Sequence, residues 1–347
     1  MKIELSDEAA EFGRLALRVL RDAGGDDLAP AAARDQQQAG SRVASALGEI
    51  GTWQLDPRGD PAELEAAAAV SRSAGYWAAP YPVAARLARP AGLSADALAV
   101  VPAAGPAAVP GGHGLRWAVV DLHGQRSLVS ARRLPGRSPD PSAPDPSALE
   151  LSLADDDGTG DVPLALLLPC WMLLGLMDRA IELTRAHVLS REQFGRPIAA
   201  FQAVRFQLTE AEVERVGAEA LARYALWSVQ TRRADMLADA LALRLAAVEA
   251  ADVVFQVAHQ LHGAIGFCDE SPLSWLSRAS EPLRHLPFGR SGTLDQLARV
   301  AGRRGLAGVF GEETAAGRHS GEAGSPAALP AQRQPRAGTV RRAEPAV

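Results

Sequence analysis

Residues 191–198 read REQFGRPI, and FQAV follows at residues 201–204. This run predicts the end of one helix, a Gly-Arg-Pro turn and the start of the next helix, because Gly and Pro interrupt helical patterning. About sixty residues later, residues 260–267 read QLHGAIGF, in which Gly263 is placed to end a helix. Each run alone is an ordinary helix boundary, and together they decide the fold.

Long helices are predicted on both sides of these two motifs, because apolar residues recur there at helical spacing. The predicted helices cover about residues 164–190, a segment that begins near 202, a segment that stops at Gly263, and two shorter stretches at about 271–285 and 294–303. Asp161 and Pro163 suit the N-cap and the first turn of the first of them. Residues 159–308 are therefore predicted to form a C-terminal bundle resembling a four-helix bundle.

The rest of the chain divides into three further parts, so the predicted fold is mainly α. Residues 1–95 show only helical patterning and are predicted to form an N-terminal helical domain. Residues 96–158 are predicted to form a reduced β domain, with a hairpin around His123-Gly124 and a Pro-rich loop between Pro135 and Ser147. Residues 309–347 lack large apolar residues and are predicted to be a disordered tail.

Composition excludes several classes of function. The chain is 47% hydrophobic and 22% charged with a net charge of −5, which is typical of soluble globular proteins and does not favour nucleic-acid binding. Lys2 is the only lysine, which argues against a phosphate-binding loop and against Schiff-base chemistry. The acidic start does not resemble a signal peptide, and the apolar stretch 164–177 is shorter than a membrane span. We therefore expect no membrane association and a cytoplasmic protein.

Metal chemistry has little support in the sequence. Cys170 and Cys268 lie far apart without C-x-x-C spacing, so neither a disulfide framework nor a thiolate zinc site is indicated. His259 and His262 share one helical face at a spacing that metal ligands also use. Because no acidic ligand accompanies them in a zinc pattern, we interpret both as surface or interface histidines and predict no metal site.

The two motifs closely resemble the R-x-x-F-G, F-Q and Q-x-x-G-G-x-G signatures of the C-terminal helical domain of acyl-CoA dehydrogenases. Gly292-Thr293 resembles the Gly-Thr element that precedes the last helix of that family. The resemblance is strong over about residues 160–300 and weaker over residues 1–95. It implies the acyl-CoA dehydrogenase fold and FAD as cofactor.

In this family the motifs of one subunit hold the pyrophosphate and adenosine of an FAD whose ring lies in the neighbouring subunit. The guanidinium group of Arg191 suits phosphate oxygens, and a glycine lets the backbone approach a ligand closely. The resemblance assigns cofactor contacts to Arg191, Gln193, Phe194, Gln202, Gln260, Gly263, Ala264 and Thr293.

The sequence departs from the family at the catalytic base. The family takes the α-proton with a glutamate at one of two positions, and Ser291 and Ala165 occupy them here. Asp161 lies one turn before Ala165, and two roles are open to it: a displaced base or, as we favour, a helix N-cap. The middle domain is also reduced, so the half of the site that cradles the flavin ring looks lost.

These departures suggest the β-type subunit of a heteromeric, α₂β₂ acyl-CoA dehydrogenase, in which the partner chain supplies the glutamate and the ring contacts. The resemblance implies α,β-desaturation of an acyl-CoA thioester, with a fatty, branched or steroid acyl group as in actinobacterial steroid degradation. Electrons would pass to an electron-transfer flavoprotein or a similar acceptor. Two alternatives stay open: a homomeric dehydrogenase with a displaced base, and a non-enzymatic acyl-CoA-binding scaffold without flavin.

Overall fold

The computed structural model describes residues 4–90, 92–103, 114–132, 148–302, 305 and 308. The chain divides into two compact units, Met1–Glu313 and Thr314–Val347, and all described residues belong to the first. The predicted disordered tail at 309–347 and the Pro-rich loop between Pro135 and Ser147 lie outside the described residues.

Five helices make up the described part of the first 95 residues, as the patterning predicts. They are α1 Asp7–Asp22, α2 Leu28–Arg34, α3 Gln36–Glu49, α4 Pro61–Tyr76 and α5 Val83–Leu87. Ser6 caps α1, because its side-chain oxygen accepts a hydrogen bond from the Ala9 N–H group at 3.3 Å. Asp60 caps α4 in the same way, with Ala62 as the donor at 2.8 Å.

A four-stranded sheet follows, in the order β1-β2-β3-β4. Its strands are β1 Ala97–Val100, β2 Trp117–Val120, β3 Gln125–Arg132 and β4 Ala148–Asp157. The predicted hairpin is confirmed: β2 and β3 pair antiparallel, and Asp121 Oδ1 accepts hydrogen bonds from the backbone of His123 and Gln125. The parallel pairing of β1 with β2 is a feature that the sequence did not predict.

The remaining elements form the predicted bundle of long helices. They are α6 Val162–Ser190, the two-residue strands β5 Glu192–Gln193 and β6 Arg196–Pro197, α7 Gln202–Gln230, α8 Met236–His262, α9 Pro272–His285 and α10 Gly289–Ala301. The prediction for α10 is wrong at its start, so Gly292-Thr293 lies inside this helix and not before it. Inside the helix, Gly292 packs against Phe288, where an added Cβ would lie 2.9 Å from the Phe288 Cβ.

Helix α6 is the core of the fold. Among the described residues, the segment Thr159–Ser190 is the one helix long and apolar enough to cross a membrane, but 89% of its most apolar window is buried inside the protein. Val162 to Leu168 are buried without interruption, and Trp171 is fully buried. A helix that is apolar on all sides and covered by its neighbours is typical of a protein core.

Helix α6 lies against α4 with almost no space between the two backbones. A Cβ atom added at Gly75 of α4 would lie 1.9 Å from the carbonyl oxygen of Met172, and one added at Gly175 of α6 would lie 1.9 Å from that of Arg72. Real Cβ atoms do not come so close to another backbone, so both positions require glycine. This reciprocal contact joins the N-terminal helices to the bundle.

Charged side chains surround the same crossing. Arg72 of α4 forms ion pairs with Asp178 of α6 at 2.6 Å and with Glu219 of α7 at 2.8 Å. Arg215 and Arg223 also bind Glu219, each at 2.7 Å. Burial alone would raise the pKa of Glu219, but the hydrogen bonds and charges of the three arginines outweigh it and lower this pKa to about 2. The cluster therefore holds three helices together through ionised groups.

We expect Gly175→Ala to lower the free energy of unfolding by at least about 2 kcal/mol, because the added methyl group meets backbone that cannot move aside. Gly217→Ala on α7 is the matched control, since a Cβ there has no atom within 4 Å. It should raise stability by up to about 1 kcal/mol through better helix propensity. Urea unfolding of the three proteins measures both effects. Equal stability of the two variants would contradict the close contact.

The low pKa of Glu219 predicts a pH dependence of stability. Because the folded state holds this carboxyl ionised more firmly than the unfolded state, its contribution is present above about pH 4.5 and is lost as the pH falls toward 2. Glu219→Gln cannot titrate, so its stability should fall less than that of the wild type between pH 6 and pH 3. Urea unfolding at each pH measures the difference. Parallel pH profiles would contradict the role of the cluster.

Candidate functional site

The two sequence motifs meet at one end of the bundle. The rings of His187, near the end of α6, and His262, the last residue of α8, stack with centroids 4.5 Å apart and planes 20° apart. Arg191 and Gly263 directly follow these two helices. The fold therefore brings together two segments that lie about seventy residues apart in the sequence.

The first motif forms a small projecting hairpin. The Arg191 N–H group donates to the His187 carbonyl, and the Ile198 N–H group donates to the Arg191 carbonyl, both at 2.8 Å. At its tip, Phe194 has a φ of +54°, a backbone conformation that bulky side chains rarely adopt, and its side chain is 90% exposed. A strained and fully presented aromatic residue points to a binding role outside the chain's own core.

The second motif ends α8 and turns into a short helical turn. Gly263 has a φ of +64°, and a Cβ added there would have no atom within 4 Å, so the backbone is open to an approaching molecule. Ala264 beside it is also exposed. Phe267 stacks on His259 at 4.3 Å and is itself 69% exposed.

Several polar side chains on this surface are available to a ligand. Arg191, Gln202 and Gln260 are exposed, and the structure shows no hydrogen bond or ion pair of their side chains with the residues it describes. Gln193 is exposed as well, but its Nε2 donates to the Glu192 carbonyl at 2.8 Å. One guanidinium group with several amides is a donor set that suits a phosphorylated ligand.

Thr293 does not share this surface. Its side chain is fully buried, and its hydroxyl donates to the Gly289 carbonyl at 2.6 Å. The hydroxyl is thus used within the chain, where it pairs with a backbone carbonyl group in the first turn of α10.

The histidines and cysteines form no cluster of metal ligands within the described ranges. His262 uses its Nδ1 on the Ala258 carbonyl at 2.8 Å, while His259 stacks on Phe267. Cys170 and Cys268 are both free thiols, and burial raises the pKa of Cys170 to about 11.

Comparison with known proteins agrees with this geometry. The family model for the acyl-CoA dehydrogenase C-terminal domain matches residues 167–301. Acyl-CoA dehydrogenase FadE27 of Mycobacterium tuberculosis is 28% identical over 134 residues, which span 36% of each chain. A 3-sulfinopropanoyl-CoA desulfinase of Paraburkholderia xenovorans is 37% identical over 108 residues, which span 30% of this chain and 26% of that protein.

Solved structures extend the likeness to the whole fold. A chain of the ChsE4-ChsE5 complex from Mycobacterium tuberculosis superimposes with a TM-score of 0.68 at 19% identity, covering 86% of this chain and 98% of that one. The steroid acyl-CoA dehydrogenase variant Tcur3481-Tcur3483 gives 0.68 at 21% identity, with the same coverage. The FAD complex of PigA gives 0.65 at 16% identity, covering 88% of this chain and 100% of that one. The described part of the chain thus has the acyl-CoA dehydrogenase fold.

In this acyl-CoA dehydrogenase fold, neither position predicted for the base carries an acid. Ala165 is buried in the first turn of α6, and Ser291 is exposed on α10. The corner before α10 is held from inside by Arg244, which is only 2% exposed and donates to the carbonyls of Leu283 at 3.1 Å and of Leu286. The bundle therefore builds this corner around a buried cation, and the nearby carboxylate of Glu249 is paired with Arg290 at 2.7 Å.

Asp161 does not cap α6 with its side chain, and its ion pairs oppose the other role considered for it, that of a base. The prediction that it caps α6 is wrong, because its side chain forms no capping hydrogen bond. Its carboxylate instead binds Arg58 at 2.8 Å and Arg126 at 2.6 Å, and only 4% of the side chain is exposed. The sequence could not predict this, since both arginines come from other elements. A proton accepted by Asp161 would break two ion pairs, which opposes a role as base.

These three residues line a cavity of about 480 Å³. The cavity lies where the loop before α4, strand β3 and the starts of α6 and α8 converge. Leu64 and Leu164 give it an apolar wall. The ion pairs of Asp161 thus connect all three predicted domains at this point.

We expect Asp161→Asn to lower the free energy of unfolding by about 3–5 kcal/mol, because it leaves two guanidinium groups without their shared carboxylate. Asp22→Asn removes an exposed ion pair with Arg21 and should change stability by less than about 1 kcal/mol. Urea unfolding of the purified chain measures both. If Asp161→Asn left stability unchanged and abolished only activity, Asp161 would be a base after all.

Proposed function

We propose that this chain is the partner subunit of a heteromeric, α₂β₂ acyl-CoA dehydrogenase and supplies the pyrophosphate and adenosine half of an FAD site. The observation that carries the proposal is the projecting hairpin, in which Phe194 is presented in a strained conformation beside the unpaired guanidinium group of Arg191. Neither feature stabilises the chain's own core. Both suit a ligand that lies between this surface and a second chain.

The cofactor that the family and the solved neighbours indicate is FAD. The described residues fit its phosphorylated half: Arg191 would bind the pyrophosphate, Gln260 and Gln202 would donate or accept amide hydrogen bonds, and the open backbone at Gly263 would admit the cofactor. Phe194 would cover an apolar face of the adenosine. Ala264 and Gln193 would border the same surface.

FAD, when bound, supplies the hydride acceptor for oxidation of an acyl-CoA thioester. The residues of this chain bind and orient the end of the cofactor away from that chemistry. Phe194, Ile265 and Phe267 are exposed apolar side chains that would shield this end of the cofactor from water once it is bound. Ala165 and Ser291 cannot accept the α-proton at the two family positions, so we assign the catalytic glutamate and the flavin-ring contacts to the partner chain.

A partner chain is supported by the apolar surface next to the motifs. Phe194, Phe206, Ile265 and Phe267 are each more than half exposed, which is unusual for such large apolar side chains. The likeness to a chain of the ChsE4-ChsE5 complex and to a steroid acyl-CoA dehydrogenase supports the same assembly and a bulky acyl group such as a steroid side chain. We propose that electrons leave through an electron-transfer flavoprotein or a similar acceptor.

Copurification tests this proposal. The chain produced alone should carry little flavin, and the chain produced with a candidate acyl-CoA dehydrogenase-like partner chain should give a yellow complex with about one FAD for each pair of chains. Visible spectra and native mass of both samples measure this. A yellow homo-oligomer of this chain that oxidises acyl-CoA unaided would support the homomeric alternative, and a colourless complex would support the scaffold.

Within that complex, Arg191→Ala should weaken FAD binding by about tenfold or more, because it removes a charge-assisted contact with phosphate worth about 1.5–3 kcal/mol. Arg185→Ala is the matched control, since it removes an equal charge from an exposed position on α6, the helix that Arg191 follows. Fluorescence titration of FAD into the flavin-free complex measures both. Equal weakening of FAD binding by the two variants would mean that the effect comes from net charge and not from a contact between Arg191 and the cofactor.

A further inference from the structure

The stacked rings of His187 and His262 join the end of α6, which leads to the first motif, to the end of α8, which leads to the second. His187 lies one helical turn before Arg191 and accepts the Arg191 N–H group on its carbonyl at 2.8 Å. His262 directly precedes Gly263, and its Nδ1 is fixed to the Ala258 carbonyl at 2.8 Å. The stack thus links the two backbones where each leaves its helix.

A second stack continues the arrangement on α8. His259, one turn before His262, lies against the ring of Phe267 with centroids 4.3 Å apart and planes 18° apart. Phe267 ends the short turn that begins at Gly263. Two rings on one face of α8, those of His259 and His262, therefore hold the two ends of the turn. The first stack connects this face of α8 to α6.

Arg191 and His259 are the titratable groups outside the stack that act on the rings of His187 and His262, and no carboxylate among the described residues does so. Burial and Arg191 lower the pKa of His187. Burial, His187 and His259 lower the pKa of His262, although its hydrogen bond to Ala258 raises it. On α9, Arg284 acts on His259 in the same direction. Both stacked rings are therefore neutral near pH 7, and protonation of either one adds a charge beside others of the same sign.

We propose that the stack of His187 on His262 is a positioning clasp, which holds Arg191 and Gly263 at the fixed separation that one dinucleotide needs in order to contact both. This inference rests on the proposed function and adds two positioning residues to it. The rings act through packing on the segments that bind. Stacked aromatic pairs stabilise by about 0.5–1.5 kcal/mol beyond their buried area, which corresponds to about twofold to tenfold in binding.

The test uses the two-chain complex with its FAD removed. His187→Phe/His262→Phe keeps two stacked rings, and FAD affinity at pH 7.5 should stay within about twofold of the wild type. His187→Ala/His262→Ala removes the clasp, and affinity should fall about fivefold to tenfold. Tyr224→Ala is the control, since it breaks an aromatic pair with Trp227 on α7 and should lower stability without changing FAD affinity. Fluorescence titration and thermal unfolding measure the two quantities separately.

A second readout needs no cofactor. Because the folded-state pKa of both histidines is lowered, their contribution to stability is present above about pH 6.5 and is lost as the pH falls. The thermal midpoint of the chain alone should therefore fall further between pH 7.5 and pH 5.5 in the wild type than in the double Phe variant. Equal falls would overturn the clasp.

The outcomes separate this inference from the proposed function. A wild-type complex that binds no FAD contradicts the proposed function itself. If the wild-type complex binds FAD and the double Ala variant binds it with equal affinity, only the clasp is overturned. Loss of FAD in the double Phe variant to the same extent as in the double Ala variant overturns it as well, because the imidazole nitrogens would then act on the cofactor directly.

Discussion

The reciprocal glycine contact between α4 and α6 sets the geometry on which the rest of the structure depends. With Gly75 and Gly175 facing carbonyl oxygens of the other helix, the two backbones lie as close as sterics allow. Only at that distance can Arg72 reach Asp178 and Glu219. The N-terminal helices and the bundle thus behave as one packed body and not as two domains joined by a linker.

The same constraint places both ends of α6. At its start, Asp161 is fixed by arginines from the loop before α4 and from strand β3. At its end, His187 meets α8. The first end is closed by ion pairs, whereas the side chains of Arg191 and Gln260 near the second end form no hydrogen bond or ion pair with the residues that the structure describes.

Turns and helix ends that depend on neighbouring residues were predicted from the sequence. The turn at His123-Gly124 and the helix end at Gly263 depend on residues a few positions away, and both were predicted correctly from spacing and residue type. Features that depend on distant parts of the chain were not predicted. The partners of Asp161 and the need for glycine at position 175 arise from packing between elements, which a single sequence does not reveal. The pairing of β1 with β2 and the burial of Thr293 belong to the same class. Two further sets of inferences stay predictions: the domain boundaries at residues 95, 158 and 308, and the residues assigned to cofactor contacts.

The projecting hairpin leaves apolar side chains exposed on the folded chain, which affects how the chain behaves in the cell. Its tip is built in advance, so the ordering of Phe194 is completed during folding and not on assembly. A surface formed in this way does not collapse when nothing covers it, and Phe194, Ile265 and Phe267 remain in water. Copies made in excess would adhere to one another through these side chains. Synthesis of this chain in step with the proposed partner would therefore limit such self-association.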